Sequence, residues 1–266
     1  MKTDPIGIFD SGIGGLTVLR AIARRLPGES TVYLGDTARV PYGTKSAETI
    51  IRYSLENARF LAGCDVKVVV AACNTASAYA LGELSEMLDV PVIGVIEPGA
   101  ARAVGLTRRG RIGVIGTEGT VRSGSYEAAI KRRRPDAEVV SRACPLFVPL
   151  AEEGWTCNEV AELTARLYLS ALVEAGIDTL VLGCTHYPLL KETIGRVAGP
   201  EVRLVDSAEA TALEVERLLV EKGLVCGGGE PERRFFVTDS PGRFAAVGRR
   251  FFGDGLHRAE LVRLGG

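Results

Sequence analysis

The chain lacks any paired-cysteine motif of the metal or redox type. Its six cysteines stand at 64, 73, 144, 157, 184 and 226, and no two are separated by only two residues. Histidine is scarcer, with only His186 and His257. So thin a set falls short of the ligand density of a zinc site, and no metal is expected; a disulfide framework is equally out of character for a chain of this length. Neither sign of charge dominates, the formal net charge being -1 over 266 residues, which removes any global attraction to nucleic acid or anionic lipid. Basic and aromatic residues do not interleave as a single-strand-binding groove requires. No apolar run reaches membrane-spanning length, and MKTDPIGIFDSG sets Asp4 and Pro5 where a signal peptide would carry its apolar segment. The expectation is a cytoplasmic protein with no membrane or nucleic-acid partner. One local basic run, Lys131-Arg132-Arg133-Arg134, reads as a solvated helix end before Pro135, with an anion patch as the alternative.

Cofactor signatures are missing as well. Asp10-Ser11-Gly12-Ile13-Gly14-Gly15 follows a strand-like run but matches neither the Walker nor the GxGxxG pattern. No lysine sits in a persuasive pyridoxal phosphate motif; Lys45 and Lys67 stand beside helix or strand starts with no evident phosphate partner. No cofactor is expected.

What is abundant is glycine, 32 residues, which implies tight loops and close backbone approach to a ligand. Apolar runs at Ile6–Phe9, Thr31–Gly35, Val66–Ala71 and Val92–Val95 alternate with helical patterns over Gly15–Arg25, Ser46–Ala62 and Ser77–Leu88. That is the rhythm of βα units feeding a mainly parallel sheet. A second series follows, with strands at Arg111–Gly116, Glu138–Arg142 and Thr179–Gly183 and helices at Gly119–Arg134 and Thr156–Ala175. IGIFDSGIGG from Ile6 resembles IGVIGTEGT from Ile112, and the ACNT turn at Cys73 resembles the GCTH turn at Cys184. The two offsets, 106 and 111 residues, are nearly equal, as an internal duplication requires. Val202–Val205 leads into a helix over Ala208–Glu221, the glycine-rich GLVCGGGEPER reads as an exposed loop, and Phe235–Gly253 returns to strand and helix. The expected fold class is α/β: two pseudo-symmetric three-layer lobes with mainly parallel sheets, one formed by residues 1–97 plus 208–266 and the other by 98–207, with the active site between them.

Cys73 and Cys184 each end an apolar strand and pass at once into polar residues. A thiol at such a turn is drawn toward thiolate by nearby backbone N–H groups and the helix dipole. A buried structural cysteine is the competing reading, and the matching of the two turns argues against it. Two opposed thiols suit the transfer of a proton across a carbon. Around them, the glycines after Asp10 offer N–H groups to a carboxylate, and Asp10 offers an anion beside Cys73 or simply caps the turn. Arg39-Val40-Pro41-Tyr42-Gly43 forms either a compact pocket wall or an ordinary turn. Glu152 and Glu153 are either solvated acids or a pocket anion.

Several blocks in order, FDSGIGG, YLGDTARVPYG, ACNTASA, GVIEPG, GTEGTVRSGSY, LGCTHYPLL, VDSAEA and the FFVTDSP tail, closely resemble the glutamate racemases of bacterial cell-wall synthesis, within the cofactor-independent aspartate/glutamate racemase superfamily. The resemblance spans essentially the whole chain. It implies interconversion of L-glutamate and D-glutamate by Cys73 and Cys184 as paired acid and base, with Asp10 supporting Cys73 and His186 supporting Cys184. It further implies a substrate pocket of Ser11, Pro41, Tyr42, Gly43, Asn74, Thr75, Thr117, Thr120, Glu152 and Thr185, and self-association as a homodimer. A racemase of aspartate or another small amino acid is the enzymatic alternative; a noncatalytic small-anion binding protein is the alternative of another class.

Overall fold

The computed structural model describes residues 2–228 and 230–265, so that Gly229 of the glycine-rich loop lies outside the described residues. The chain opens with β1 (Ile6–Asp10), α1 (Leu16–Arg25), β2 (Thr31–Gly35), α2 (Ala47–Ala62), β3 (Val68–Ala71), α3 (Asn74–Tyr79), α4 (Leu81–Met87), β4 (Val92–Gly94) and α5 (Ile96–Leu106). A second series has β5 (Arg111–Gly116), α6 (Glu118–Arg122), α7 (Ser125–Arg133), β6 (Glu138–Ala143), α8 (Phe147–Glu153), α9 (Glu159–Glu174), β7 (Thr179–Gly183), α10 (Lys191–Ala198) and β8 (Arg203–Asp206). The chain closes with α11 (Ser207–Glu221), β9 (Arg233–Val237), α12 (Pro241–Phe252) and β10 (Glu260–Leu261).

Two parallel sheets result, one ordered β10-β9-β2-β1-β3-β4 and the other β6-β5-β7-β8. Every residue of β1, β3 and β7 is buried, as strands covered by helices on both faces must be. The duplication is explicit in the order. β2-β1-β3-β4 and β6-β5-β7-β8 are the same arrangement, with β1 equivalent to β5 and β3 to β7. In each sheet the chain leaves the first strand to one side and returns on the other, so a crevice opens at the carboxyl ends of β1 and β3, and of β5 and β7. Such switch points are where parallel α/β sheets bind ligands.

Side-chain caps start several of the helices. Ser46, Thr117 and Asn158 cap α2, α6 and α9 by accepting from the N–H of Thr49, Thr120 and Ala161. The expected single helix over Gly119–Arg134 is instead two, because Gly124 adopts φ of 66° and turns the chain. The helix expected over Ser77–Leu88 begins three residues earlier, at Asn74, and is broken at Ala80. The basic run ends α7 and is paired throughout: Lys131 with Glu127, Arg132 and Arg133 with Glu97, and Arg134 with Asp136.

Lys67 is fully committed at the end of the first sheet away from the crevice. It is buried against Glu29, and its ammonium also donates to the carbonyls of Lys2 at 2.7 Å and Leu224 at 2.9 Å. Glu29 in turn accepts from the Cys226 N–H at 2.8 Å. Removing one partner of a buried pair leaves an uncompensated charge, so Lys67→Met is expected to cost about 3–5 kcal/mol of stability in urea unfolding. Replacing both, with Glu29→Leu added, should recover most of that loss; a single mutant as stable as wild type would contradict the assignment.

Candidate active site

Four strand ends supply the site. β1 runs into Asp10 and Ser11, β3 into Cys73 and Asn74, β5 into Thr117, and β7 into Cys184, Thr185 and His186. The short helical turn Tyr42–Thr44 closes one side, entered through a cis Val40–Pro41 peptide. Together they enclose a cavity of about 190 Å³ whose wall includes both cysteines with Ser11, Pro41, Tyr42, Gly43, Asn74, Thr75, Thr117, Glu152, Thr185 and His186. Its size suits a small molecule. Two of the expected residues stand behind the wall. Asp10 is buried beneath the β1 loop, and Thr120 is buried with its hydroxyl 3.2 Å from that of Thr75 and 3.0 Å from that of Thr117.

On the β3 side, Cys73 precedes α3, and its Sγ lies 3.5 Å from Ser11 Oγ. Sequence reasoning expects the helix start to favour thiolate. The Ala76 N–H and Ser11 do pull that way, but burial, reinforced by the Asp10 carboxylate, pushes the thiol up to about 12. Cys73 is therefore held as a neutral thiol. Asp10 accepts from the Gly12 N–H at 2.9 Å through Oδ2, and its buried Oδ1 has no partner among the described residues. Burial raises its carboxyl above the usual range, opposed by His186 and the backbone N–H groups of the loop.

The β7 side carries the opposite polarity. His186 Nδ1 stands 3.9 Å from Cys184 Sγ, and Nε2 stands 3.2 Å from Glu152 Oε1. Burial alone would hold the imidazole neutral, yet its bonds to Cys184 and Glu152 raise it to about 10. The same contact, above all, holds the Glu152 carboxyl below the usual carboxylate range. One thiol thus has the Asp10 carboxyl group at its back and the other an imidazolium.

Neighbours that sequence reasoning missed set the remaining geometry. Tyr126 donates to Asn74 Oδ1 at 2.7 Å, which turns the amide so that Nδ2 is buried without a partner among the described residues. The Tyr42 hydroxyl donates to Asp36 and accepts from Asn57 Nδ2 at 3.1 Å, so these groups fix the ring that walls the cavity. Tyr126 lies in the GTEGTVRSGSY block and Asp36 in YLGDTARVPYG, but nothing local in either block indicates which partner the side chain meets. Among the described residues, no three His, Cys, Asp or Glu side chains group as metal ligands, and no helix is long and apolar enough to cross a membrane.

Two thiols from equivalent strand ends of a duplicated α/β fold meet in one small cavity, and the fold is that of a racemase. A family model for Asp/Glu/hydantoin racemases matches residues 6–215. The chain is 64% identical over 265 residues to a glutamate racemase of Geobacter metallireducens, covering 99% of this chain and 98% of that one. Its fold superposes with a TM-score of 0.93 on a glutamate racemase isoform from Bacillus anthracis, at 41% identity and 98% and 97% coverage. It also superposes with a TM-score of 0.93 on the Francisella tularensis enzyme in complex with D-glutamate, at 40% identity and 99% and 98% coverage. The chain belongs to the Asp/Glu/hydantoin racemase family, among its glutamate racemases.

Proposed function

We propose that this enzyme interconverts L-glutamate and D-glutamate without a cofactor, supplying the D-enantiomer for peptidoglycan synthesis, with Cys73 and Cys184 as the two proton-transfer groups. The observation that carries this reading is the delivery of both thiols to one cavity from equivalent positions, the ends of β3 and β7. In one direction the Cys184 sulfur, as thiolate, takes the α-proton and the Cys73 thiol donates to the opposite face. In the other direction the roles exchange. Each turnover moves one proton from each sulfur or to it, so no electrons are transferred and no co-reactant is consumed.

The difficult step is forming negative charge at a carbon whose proton is weakly acidic. Donors aimed at the substrate carboxylate spread that charge, and the unpartnered Asn74 amide together with the hydroxyls of Ser11, Thr75 and Thr185 are suited to this. His186, as a cation, supplies a proton or a charge to the Cys184 side, and Asp10, behind Cys73, matches an ammonium group. These roles extend to Pro41, Tyr42, Gly43 and Thr117 as pocket walls, to Thr120 as their support, and to Glu152 as the acid behind His186. The same reading takes the lobes as 1–97 plus 208–266 and 98–207, divided within α5 and at the start of α11. It also takes the enzyme to act in the cytoplasm as a homodimer.

Incubation with each glutamate enantiomer in deuterium oxide tests the reaction itself. Deuterium is expected at Cα in both substrate and product. Binding of glutamate without exchange from either enantiomer would leave a noncatalytic anion-binding protein as the better reading, and faster exchange with aspartate would move the specificity.

A further inference from the structure

The helix α12 reaches the site from the far end of the chain. Arg243, Arg250 and Phe251 share one of its faces, since spacings of seven and eight residues return a helix to nearly the same direction. Arg243 Nη2 lies 3.9 Å from Glu152 Oε2. Arg250 Nη1 donates to the Glu152 carbonyl, and its guanidinium covers Gly154, where an added Cβ would approach within 3.3 Å. Phe251 packs edge-on against the His186 ring at 5.3 Å between centroids and 82° between planes. A second cavity, of about 210 Å³, adjoins the catalytic one: Gly12, Ile13, Val40 and Glu152 line both, and Arg243 with Asp239 lines the second alone.

We propose that Arg243 is a positioning residue for the Cys184 half of the reaction, acting through Glu152 to aim the His186 imidazole. The inference rests on the two-thiol reading and deepens it. Glu152 presents Oε1 to His186 Nε2 and Oε2 to α12. Its side chain is 28% exposed and lines the adjoining cavity, so a cation on Oε2 adds to the His186 contact on Oε1 in fixing the rotation of the carboxylate. Arg250 holds the backbone of the residue and Arg243 its carboxylate. The charged groups that face Glu152 are then His186 from the β7 loop and Arg243 and Arg250 from α12, with Glu153 beside it in α8 and Asp239 across the second cavity. Arg243 touches neither thiol. It is also well placed to attract a dicarboxylate substrate from solution, and the two roles give different kinetics.

The test measures α-proton exchange in deuterium oxide from each enantiomer separately, using the full chain. Arg243→Met should slow exchange from the enantiomer that Cys184→Ser also silences by about threefold to fivefold, the range open to a partly exposed ion pair, and leave the other within about twofold. Arg243→Glu, which sets a like charge beside Glu152, should slow it by roughly tenfold, and Arg243→Lys should restore it. In a Glu152→Gln background, Arg243→Met should add nothing, because the carboxylate it acts through is gone. Equal slowing from both enantiomers, a raised KM alone, or an undiminished effect in the Glu152→Gln background would overturn the proposal in favour of substrate attraction. Normal exchange by the wild type with no change in Arg243→Met would overturn this proposal alone. Absence of exchange in the wild type would overturn the two-thiol reading beneath it.

Discussion

Cys73→Ser and Cys184→Ser are each expected to lower racemisation by about 10²- to 10⁴-fold, the contribution of a positioned acid or base. Serine keeps the shape of the side chain but is a far poorer base and a poorer acid, so substrate binding should change much less than turnover. The informative quantity is the pattern of α-proton exchange. A variant lacking one thiol can still remove and return the proton on the remaining face, so each should retain deuterium exchange with one enantiomer and lose it with the other. The two variants should retain opposite enantiomers, which would also assign each thiol to a face. Cys157→Ser provides the control, because that exposed thiol lies on the α8–α9 connection outside the cavity, and wild-type turnover is expected. Loss of the same enantiomer in both cysteine variants would contradict thiols on opposite faces of the substrate.

The cysteines were legible in the sequence because their signal is local. Four or five apolar residues, a thiol and a polar turn describe a strand end whatever surrounds it, and the near-equal offsets from Ile6 to Ile112 and from Cys73 to Cys184 expose the duplication that the two sheet orders display. The helix α5 was not legible in the same way. No element is expected there from the sequence, and its first turn contains Pro98 and Gly99, which interrupt a helical pattern, although proline is tolerated where a helical N–H has no partner. Its burial against α7 comes from the fold. The break at Gly124 turns on one left-handed residue inside an otherwise helical pattern. The state of Cys73 was beyond a local reading for another reason: the helix start and the burial act in opposite directions, and only the fold sets how deeply the sulfur is covered. Arg243 is separated from Glu152 by 91 positions in the chain. No pattern connects them until the C-terminal segment returns α12 to the crevice.

Gly14→Ala should be the most damaging single methyl addition at the site, lowering kcat/KM by about a hundredfold, the scale of loss that a displacement of about 1 Å causes among reacting groups. Gly14 sits in the loop from β1 to α1, where a Cβ would fall 2.2 Å from Thr185 Oγ1 and 2.4 Å from His186 Nδ1. Neither neighbour is a flexible chain end. Thr185 and His186 are buried, and the Thr17 hydroxyl, 2.9 Å from both the Gly14 and Thr185 carbonyl oxygens, ties the two loops together. The added methyl must therefore either move the imidazole off the Cys184 sulfur or separate the β1 loop from the β7 loop. Overpacking of this kind also costs about 1–3 kcal/mol, so a fall in stability accompanies the loss of activity and a urea titration separates the two. Gly28→Ala calibrates the comparison: it lies in the turn after α1 with nothing within 4 Å of the new Cβ, and full activity is expected. Because the methyl at position 14 is aimed at the histidine side, exchange from the enantiomer handled by Cys184 should fall further than exchange from the other. Wild-type kcat/KM in Gly14→Ala would show that contact between the two loops does not set the position of His186.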